Sequence, residues 1–150
     1  MNGDTQVQAY AAADFSSGDQ ATIEAIQRLL SRTSPLPSDP LVVDLGCGPG
    51  NITLRLAGLF PKARIIGIDG AESMLAVARE RAQQQQLEIS FLCQTLQEVL
   101  RGALLGQADL IVSNSLLHHL HQPDLLWMVT RDLAAPGCRT LHRDLRRPAS

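Results

Sequence analysis

Aromatic residues are scarce in this chain, at 3% of its 150 residues, so they cannot form a broad surface for stacking nucleic-acid bases. Positive charge is also limited, because 13 Lys and Arg are offset by 15 Asp and Glu. The arginines are scattered, apart from residues 139–147, where a solvated chain end is favoured over a basic patch. These features argue against nucleic acid as a main binding partner.

Cysteine is also rare, and its spacing excludes several kinds of site. Cys47, Cys93 and Cys138 are odd in number and far apart, and no C-x-x-C pair suggests a metal site. We therefore predict no bound metal and a reduced, cytoplasmic protein. No run approaches the roughly 20 apolar residues of a membrane span, and residues 1–15 lack the apolar segment of a signal peptide. Neither membrane insertion nor secretion is expected.

The composition favours a single folded domain, because hydrophobic residues make up 45% of the chain and charged residues 19%. Apolar spacing predicts a helix over Gln20–Arg32 with Asp19 as its N-cap. A proline-rich extended connection follows at Ser34–Pro40. We therefore assign residues 1–40 to a helical cap and linker, and residues 41–150 to the ligand-binding part of the same domain.

Strands and helices alternate from residue 41 onward. Short apolar runs predict strands at Leu41–Leu45, Arg64–Asp69, Glu88–Gln94 and Ala108–Ser113. Helical spacing predicts helices at Asn51–Phe60, Ala71–Gln84, Thr95–Arg101 and Pro123–Ala135, the last with Gly137 just past its end. This order implies parallel strands and a three-layer α/β/α sandwich. A fifth strand at Cys138–Leu145 would be a poor buried one, because it contains Arg139, His142 and Arg143.

A glycine-rich turn follows the first strand, at the edge of the sheet where open parallel sheets bind ligands. Gly46, Gly48 and Gly50 allow a sharp turn and a close approach of the main chain to a ligand. Their spacing, G-x-G-x-G, differs from the dinucleotide fingerprint G-x-G-x-x-G. Pro49 also removes an N–H that a pyrophosphate would use. The turn predicts a ligand site and disfavours a dinucleotide.

Two acidic residues lie at the ends of adjacent predicted strands. Asp44 stands within an apolar run, where a carboxylate is costly to bury without a partner, and it would repel a diphosphate but suit a cation. Asp69 ends the second strand, where it can accept from ribose hydroxyls or cap the next helix. Together they favour a cationic adenosine ligand without phosphate.

The segment V-V-D-L-G-C-G-P-G at residues 42–50 resembles the first motif of class I S-adenosyl-L-methionine (SAM) dependent methyltransferases. Ile66–Asp69 and Ser73–Leu75 follow at the family's distance, and Ala108–Asn114 with Leu116–Leu120 is similar to the fourth motif of small-molecule methyltransferases. The resemblance implies a Rossmann-like sheet, incomplete against the family's seven strands, and a homodimer could cover its exposed edge. It further implies methyl transfer from SAM to a small-molecule acceptor, with S-adenosyl-L-homocysteine (SAH) as product.

For the methionine and ribose portions of the cofactor, the resemblance implies a lining of Gly46, Cys47, Gly48 and Gly50, with Asp44 orienting the methionine end. Six residues are implied to hold the adenosine half: Asp69 at the ribose hydroxyls, Gly70 and Met74 beside the adenine, and Gln94, Thr95 and Leu96 at its edge. Thr95 and Leu96 would act through their backbone. At Gln94 the family commonly has an acidic residue, so glutamine keeps an acceptor oxygen but loses the charge.

Candidate catalytic groups follow the fourth strand. Asn114, His118 and His119, with His121 beside them, could position the acceptor or remove a proton. Asn114 is also expected to border the cofactor. The plainer interpretation is a polar loop that precedes the next helix. Zinc binding by the histidines is disfavoured, because no nearby cysteine or carboxylate completes a tetrahedral set. Two alternatives to a methyltransferase stay open: a non-catalytic or truncated SAM-binding module, and an NAD(P)-dependent oxidoreductase, which the glycine spacing and Asp44 disfavour.

Overall fold

The computed structural model describes residues 16–114 and 123–143, in which helices and strands alternate along the chain. The helices in these ranges are α1 Ser16–Ser31, α2 Asn51–Leu59, α3 Glu72–Gln84, α4 Leu96–Val99 and α5 Pro123–Leu133. The strands are β1 Leu41–Leu45, β2 Arg64–Asp69, β3 Ile89–Cys93, β4 Ala108–Asn114 and β5 Ala134–Arg143.

The strands form one parallel sheet in the order β3-β2-β1-β4-β5. The chain builds the sheet outward from β1 in one direction and then returns to β4 on the other side of β1. The order therefore reverses between β1 and β4, and the carboxyl ends of these strands define the crevice in which such folds bind ligands.

Helices cover both faces of the sheet. On one face, Ile26 of α1 and Leu56 of α2 pack against Val42 of β1, and α3 packs beside them. On the other face, Leu126 and other apolar residues of α5 pack against the sheet together with α4. All five residues of β1 are buried, as expected for a strand covered on both sides. The predicted three-layer α/β/α fold is confirmed, with five strands in the described part of the chain.

The first helix differs from its prediction. It begins at Ser16 rather than Gln20, so Asp19 is not an N-cap but lies in the first turn. The Asp19 carboxylate is buried and forms an ion pair with Arg55 of α2, at 2.8 Å between Oδ2 and Nη1. The ion pair joins two helices that are distant in sequence, and local periodicity could not show it.

The last strand also differs. Helix α5 ends at Leu133, before the predicted Ala135, and β5 begins directly afterwards instead of at Cys138. Gly137, with φ of 80°, lies inside the irregular start of β5. The polar residues of β5 are accommodated at this sheet edge by hydrogen bonds: Arg139 with Ser34 O, His142 with Ser113 Oγ, and Arg143 with Gly18 O.

Among the described strands, β3 and β5 form the edges of the sheet. The homodimer expected from an uncovered edge stays a prediction. Among the described helices, none combines the length and apolar character needed to cross a membrane.

Candidate functional site

The turn after β1 contains three glycines in the left-handed region, with φ of 68° at Gly46, 55° at Gly48 and 89° at Gly50. The last two are needed for different reasons. A Cβ on Gly50 would lie 2.7 Å from Leu54 Cδ1 and 3.2 Å from Ala78 Cβ, so glycine allows α2 to approach α3. A Cβ on Gly48 would meet nothing within 4 Å. Gly48 therefore leaves open space at the tip of the turn, where a ligand can approach the main chain.

The glycine turn is hydrogen-bonded to the end of β2. The amides of Gly46 and Cys47 donate to Ile68 O at 2.7 and 3.0 Å. Asp69 accepts from Gly48 N at 2.9 Å through Oδ2 and from Ala71 N at 2.8 Å through Oδ1. Because a carboxylate has about four lone-pair sites, Asp69 is held in place and can still accept from ribose hydroxyls. The structure thus brings the ends of β1 and β2 together, as the sequence predicted.

Asp44 lies beneath this turn and is 1% exposed. Its Oδ2 accepts from the hydroxyl of Thr53, in the first turn of α2, at 2.8 Å. Burial raises the pKa of the Asp44 carboxyl to about 7, the Thr53 hydrogen bond opposes this increase, and the negative charges of Asp69 and Asp19 add to it. A cation placed against Asp44 would offset both the desolvation and the repulsion between carboxylates.

Cys47 contributes through its backbone. Its side chain is 8% exposed and packs over Gly67 of β2, where a Cβ would lie 3.0 Å from Cys47 Sγ. Burial and the nearby carboxylates of Asp44 and Asp69 raise the pKa of the thiol. Cys47 therefore shapes the turn and does not present a reactive thiolate to the crevice.

The predicted adenosine-binding residues lie at the ends of β2 and β3. Gln94 N donates to Asp69 O at 3.0 Å, which aligns the two strand ends, and the Gln94 and Met74 side chains are partly exposed. Gly70 is exposed directly after β2. Backbone and side-chain groups from both strands therefore border one surface.

Thr95 caps the start of α4. Its amide donates to Glu98 Oε1 and its hydroxyl accepts from Glu98 N, which forms a capping box at the start of α4. Its carbonyl accepts from Val99 N. The amide of Thr95 is thus engaged, while its carbonyl oxygen keeps a second lone pair, and its contact with adenine stays a prediction. Leu96, as the first helical residue, has the amide that a helix leaves without an intrahelical acceptor.

Asn114 ends β4 on the same face of the sheet as Asp44, since Asp44 is aligned with Val112 and side chains alternate along a strand. Its Oδ1 accepts from the hydroxyl of Thr22 of α1 at 2.9 Å. His118, His119 and His121 lie outside the described residues. Within the described ranges, no three His, Cys, Asp or Glu side chains are grouped so that they could hold a metal ion.

Several polar residues at the crevice were not predicted from the sequence. Arg81 of α3 donates to Pro49 O at 2.9 Å and to Asn51 Oδ1 at 2.7 Å, and so fixes the end of the glycine turn. Thr53 could have been predicted as a partner of Asp44 from the sequence, because it lies in the first turn of the helix that follows the glycine turn. Asp19 and Thr22 of α1 show no local signal, because their contacts connect elements far apart in sequence.

The crevice lies within a segment that matches a known family. The profile of the methyltransferase domain matches residues 42–137, which include the glycine turn, Asp69 and Asn114. The chain belongs to the methyltransferase domain family. The resemblance to class I SAM-dependent methyltransferases, inferred from the first and fourth motifs, is thereby confirmed.

Curated relatives of this methyltransferase domain are much longer proteins. It is 45% identical over 114 residues to a trans-aconitate 2-methyltransferase of Variovorax paradoxus, covering 74% of this chain and 40% of that protein. It is 39% identical over 92 residues to a malonyl-[acyl-carrier protein] O-methyltransferase of Bacillus anthracis, covering 61% of this chain and 32% of that protein. Both are named methyltransferases, which gives no support to an oxidoreductase.

A solved structure shares the fold. An N-methyltransferase from Haemonchus contortus, in complex with phosphomonomethylethanolamine and S-adenosylhomocysteine, superposes with a TM-score of 0.70. The sequences are 22% identical, and the match covers 93% of this chain and 32% of that chain. At this identity the likeness establishes the methyltransferase fold alone.

Proposed function

We propose that this chain binds SAM in the crevice between the glycine turn and Asp69, and transfers the SAM methyl group to the carboxylate of a small organic acid. One observation carries the cofactor assignment. The turn is open at Gly48, is hydrogen-bonded to the Asp69 carboxylate, and stands over the buried carboxylate of Asp44.

The charge of the crevice supports a cationic ligand. Asp19, Asp44 and Asp69 come from three different elements, and the first and last both raise the pKa of Asp44. A diphosphate would be repelled by these groups, and Pro49 offers it no N–H. SAM brings a sulfonium and an α-ammonium group, and its adenosine carries no phosphate.

The same geometry supports a binding position for each part of SAM. Asp44 orients the methionine end, while the backbone from Gly46 to Gly50 lines the methionine and ribose portions. Asp69 accepts from the ribose hydroxyls. Gly70, Met74, Gln94 and Leu96 border the adenine. Helix α1, within residues 1–40, caps the methionine side, because its Asp19 and Thr22 contact α2 and β4.

The proposed acceptor class comes from the relatives, whose names contain trans-aconitate and malonyl. Both words denote carboxylic acids, which are ionised near neutral pH. Attack of one carboxylate oxygen on the methyl carbon would break the carbon–sulfur bond, so that this carboxylate becomes an uncharged ester group and the sulfonium becomes the thioether of SAH. No base has to remove a proton, so catalysis by orientation suffices, and orientation can supply roughly 7 to 11 kcal/mol.

Residues of this chain have three tasks in such a reaction. They hold the sulfonium, direct the acceptor carboxylate in line with the methyl group, and exclude water. We assign the second task to Asn114, which ends β4. The free cysteines Cys47, Cys93 and Cys138 fit a reducing, cytoplasmic setting.

Calorimetry with SAH and, separately, with NADH tests the cofactor assignment. We expect SAH to bind and NADH not to bind; the reverse result would overturn the proposal. Transfer of a labelled methyl group from SAM to a panel of di- and tricarboxylic acids, with amines and phenols as comparison acceptors, then tests the acceptor class. Tight SAH binding with no turnover on any acceptor would instead identify a non-catalytic SAM-binding module.

A further inference from the structure

Thr22 lies at a three-way junction over the carboxyl end of the sheet. Its side chain is fully buried, at 0% exposure, although it is polar. Its Oγ1 lies 2.9 Å from Asn114 Oδ1 and 2.9 Å from Arg143 Nη1. The junction thus joins α1 to the ends of β4 and β5.

The structure places an acceptor, Asn114 Oδ1, and a donor, Arg143 Nη1, against the same hydroxyl, and this sets the direction of each hydrogen bond. Arginine can only donate, so Thr22 Oγ1 accepts from Arg143. The single hydroxyl hydrogen of Thr22 can then point to Asn114 Oδ1 at 2.9 Å or to Gly18 O at 3.2 Å. Gly18 O already accepts from Arg143 at 2.6 Å. The shorter contact, to an acceptor not already used by Arg143, takes the hydrogen.

The hydroxyl hydrogen bond holds the Asn114 amide with Oδ1 toward Thr22. Its carbonyl oxygen faces α1, so its NH2 group points away from Thr22. Asn114 follows Ser113, which is aligned with Leu45, and therefore lies beside Gly46 at the start of the glycine turn. With the amide reversed, a carbonyl oxygen would face the crevice and would repel an anionic acceptor.

We propose that Thr22 and Arg143 are positioning residues that orient the Asn114 amide, so that its two N–H groups face the crevice and donate to the carboxylate of the methyl acceptor. This inference rests on the proposed function, because it names how that site selects an acid. Bonds to a charged acceptor are stronger than those between neutral groups, so a fixed pair of donors favours carboxylates over neutral acceptors.

Thr22→Val tests the role of the hydroxyl, because valine has nearly the same shape and cannot donate. We expect kcat/KM for a carboxylic acid such as trans-aconitate to fall about tenfold, the effect of one lost hydrogen bond to the orienting network. SAH affinity should fall much less than kcat/KM does. Thr22→Ser, which keeps the hydroxyl, should restore most of the activity. Thr33→Val, the same change just after α1 and away from Asn114, serves as the matched control.

Arg143→Met provides a second variant that does not alter the buried position. Without the arginine, Thr22 is free to turn its hydroxyl toward Gly18 O, so kcat/KM should fall in the same direction, by about threefold. Thermal unfolding of every variant separates loss of orientation from loss of folding. Equal activity of the valine and serine variants would overturn the proposal.

A spectroscopic measurement keeps this inference separate from the proposed function. The side-chain amide of Asn114 can be identified by NMR through its absence in Asn114→Asp. Its 15N resonance should move in Thr22→Val but not in Thr33→Val, and should move in wild type when trans-aconitate is added with SAH. An unmoved resonance in Thr22→Val overturns the orientation by Thr22, even where methyl transfer is observed. Absence of SAH binding in wild type defeats the proposed function, while the comparison of variants still decides the orientation.

Discussion

Thr53 donates its hydroxyl hydrogen to Asp44 Oδ2 across 2.8 Å, in the buried space between β1 and α2. A single neutral hydroxyl compensates a buried carboxylate only in part, which is why burial raises the pKa of Asp44 to about 7. The fold therefore keeps a carboxyl group whose ionisation is unfavourable until a cation arrives. The proposed function explains why the chain buries this carboxylate at a cost to folding, since a ligand cation would stabilise its ionised form.

Asp44→Asn should make folding stability less sensitive to pH. The folded pKa of about 7 exceeds the reference value of 3.8, so the folded chain binds this proton more tightly than the unfolded chain. Stability from Asp44 is complete below about pH 4 and falls by roughly 1.4 kcal/mol per pH unit up to about 7. We expect the asparagine variant to match wild type near pH 4 and to be more stable at pH 8 in urea denaturation.

Thr53→Val tests the hydrogen bond from Thr53 to Asp44, measured by the same urea denaturation across pH. Without the hydroxyl, the ionised carboxylate loses a stabilising bond, so the pKa of Asp44 rises further and the loss of stability extends to higher pH. Parallel stability curves for wild type and Asp44→Asn across this range would show that Asp44 does not titrate as described.

Affinity for SAH should depend on pH in the opposite sense. If Asp44 binds the α-ammonium group, it must be ionised, so affinity should rise about tenfold per pH unit below 7 and level off above it. Calorimetry between pH 5.5 and 8.5 measures this, and buffers with different ionisation enthalpies report the released proton. The Asp44→Asn variant should bind weakly, with no such rise. An affinity in wild type that does not vary with pH would remove Asp44 from the cofactor site.

The sequence predicted the centre of this fold better than its edges. Both β1 and β2 matched their predicted limits, because each is an apolar run that ends at glycines or at an acid. β5 was placed too late, because Ala134–Gly137 has the composition of a helix end, and only pairing with β4 makes it a strand. Thr22 and Asp19 could not be predicted as site residues, because their contacts join α1 to residues that are distant in sequence.

Gly48 and Gly50 should respond differently to substitution. Gly48→Arg places its side chain in open space at a φ of 55°, so we expect a stability loss of about 1 to 2 kcal/mol and no measurable SAH binding. Gly50→Ala should cost more stability, because the added Cβ lies 2.7 Å from Leu54 Cδ1 at a φ of 89°. Thermal unfolding and calorimetry measure the two effects. Retained SAH binding in Gly48→Arg would place the ligand elsewhere.

Asp69→Ala should weaken SAH binding by roughly 1 to 3 kcal/mol, through loss of hydrogen bonds to a charged acceptor. The variant also loses the bonds from Gly48 N and Ala71 N, so a fall in affinity alone does not identify a ribose contact. An SAH analogue without the ribose 2′-hydroxyl separates the two roles. In wild type, the analogue should bind more weakly than SAH. In Asp69→Ala, the two should bind equally well, because the 2′-hydroxyl then has no carboxylate to accept its hydrogen bond. An equal loss in both proteins would mean that Asp69 only supports the turn.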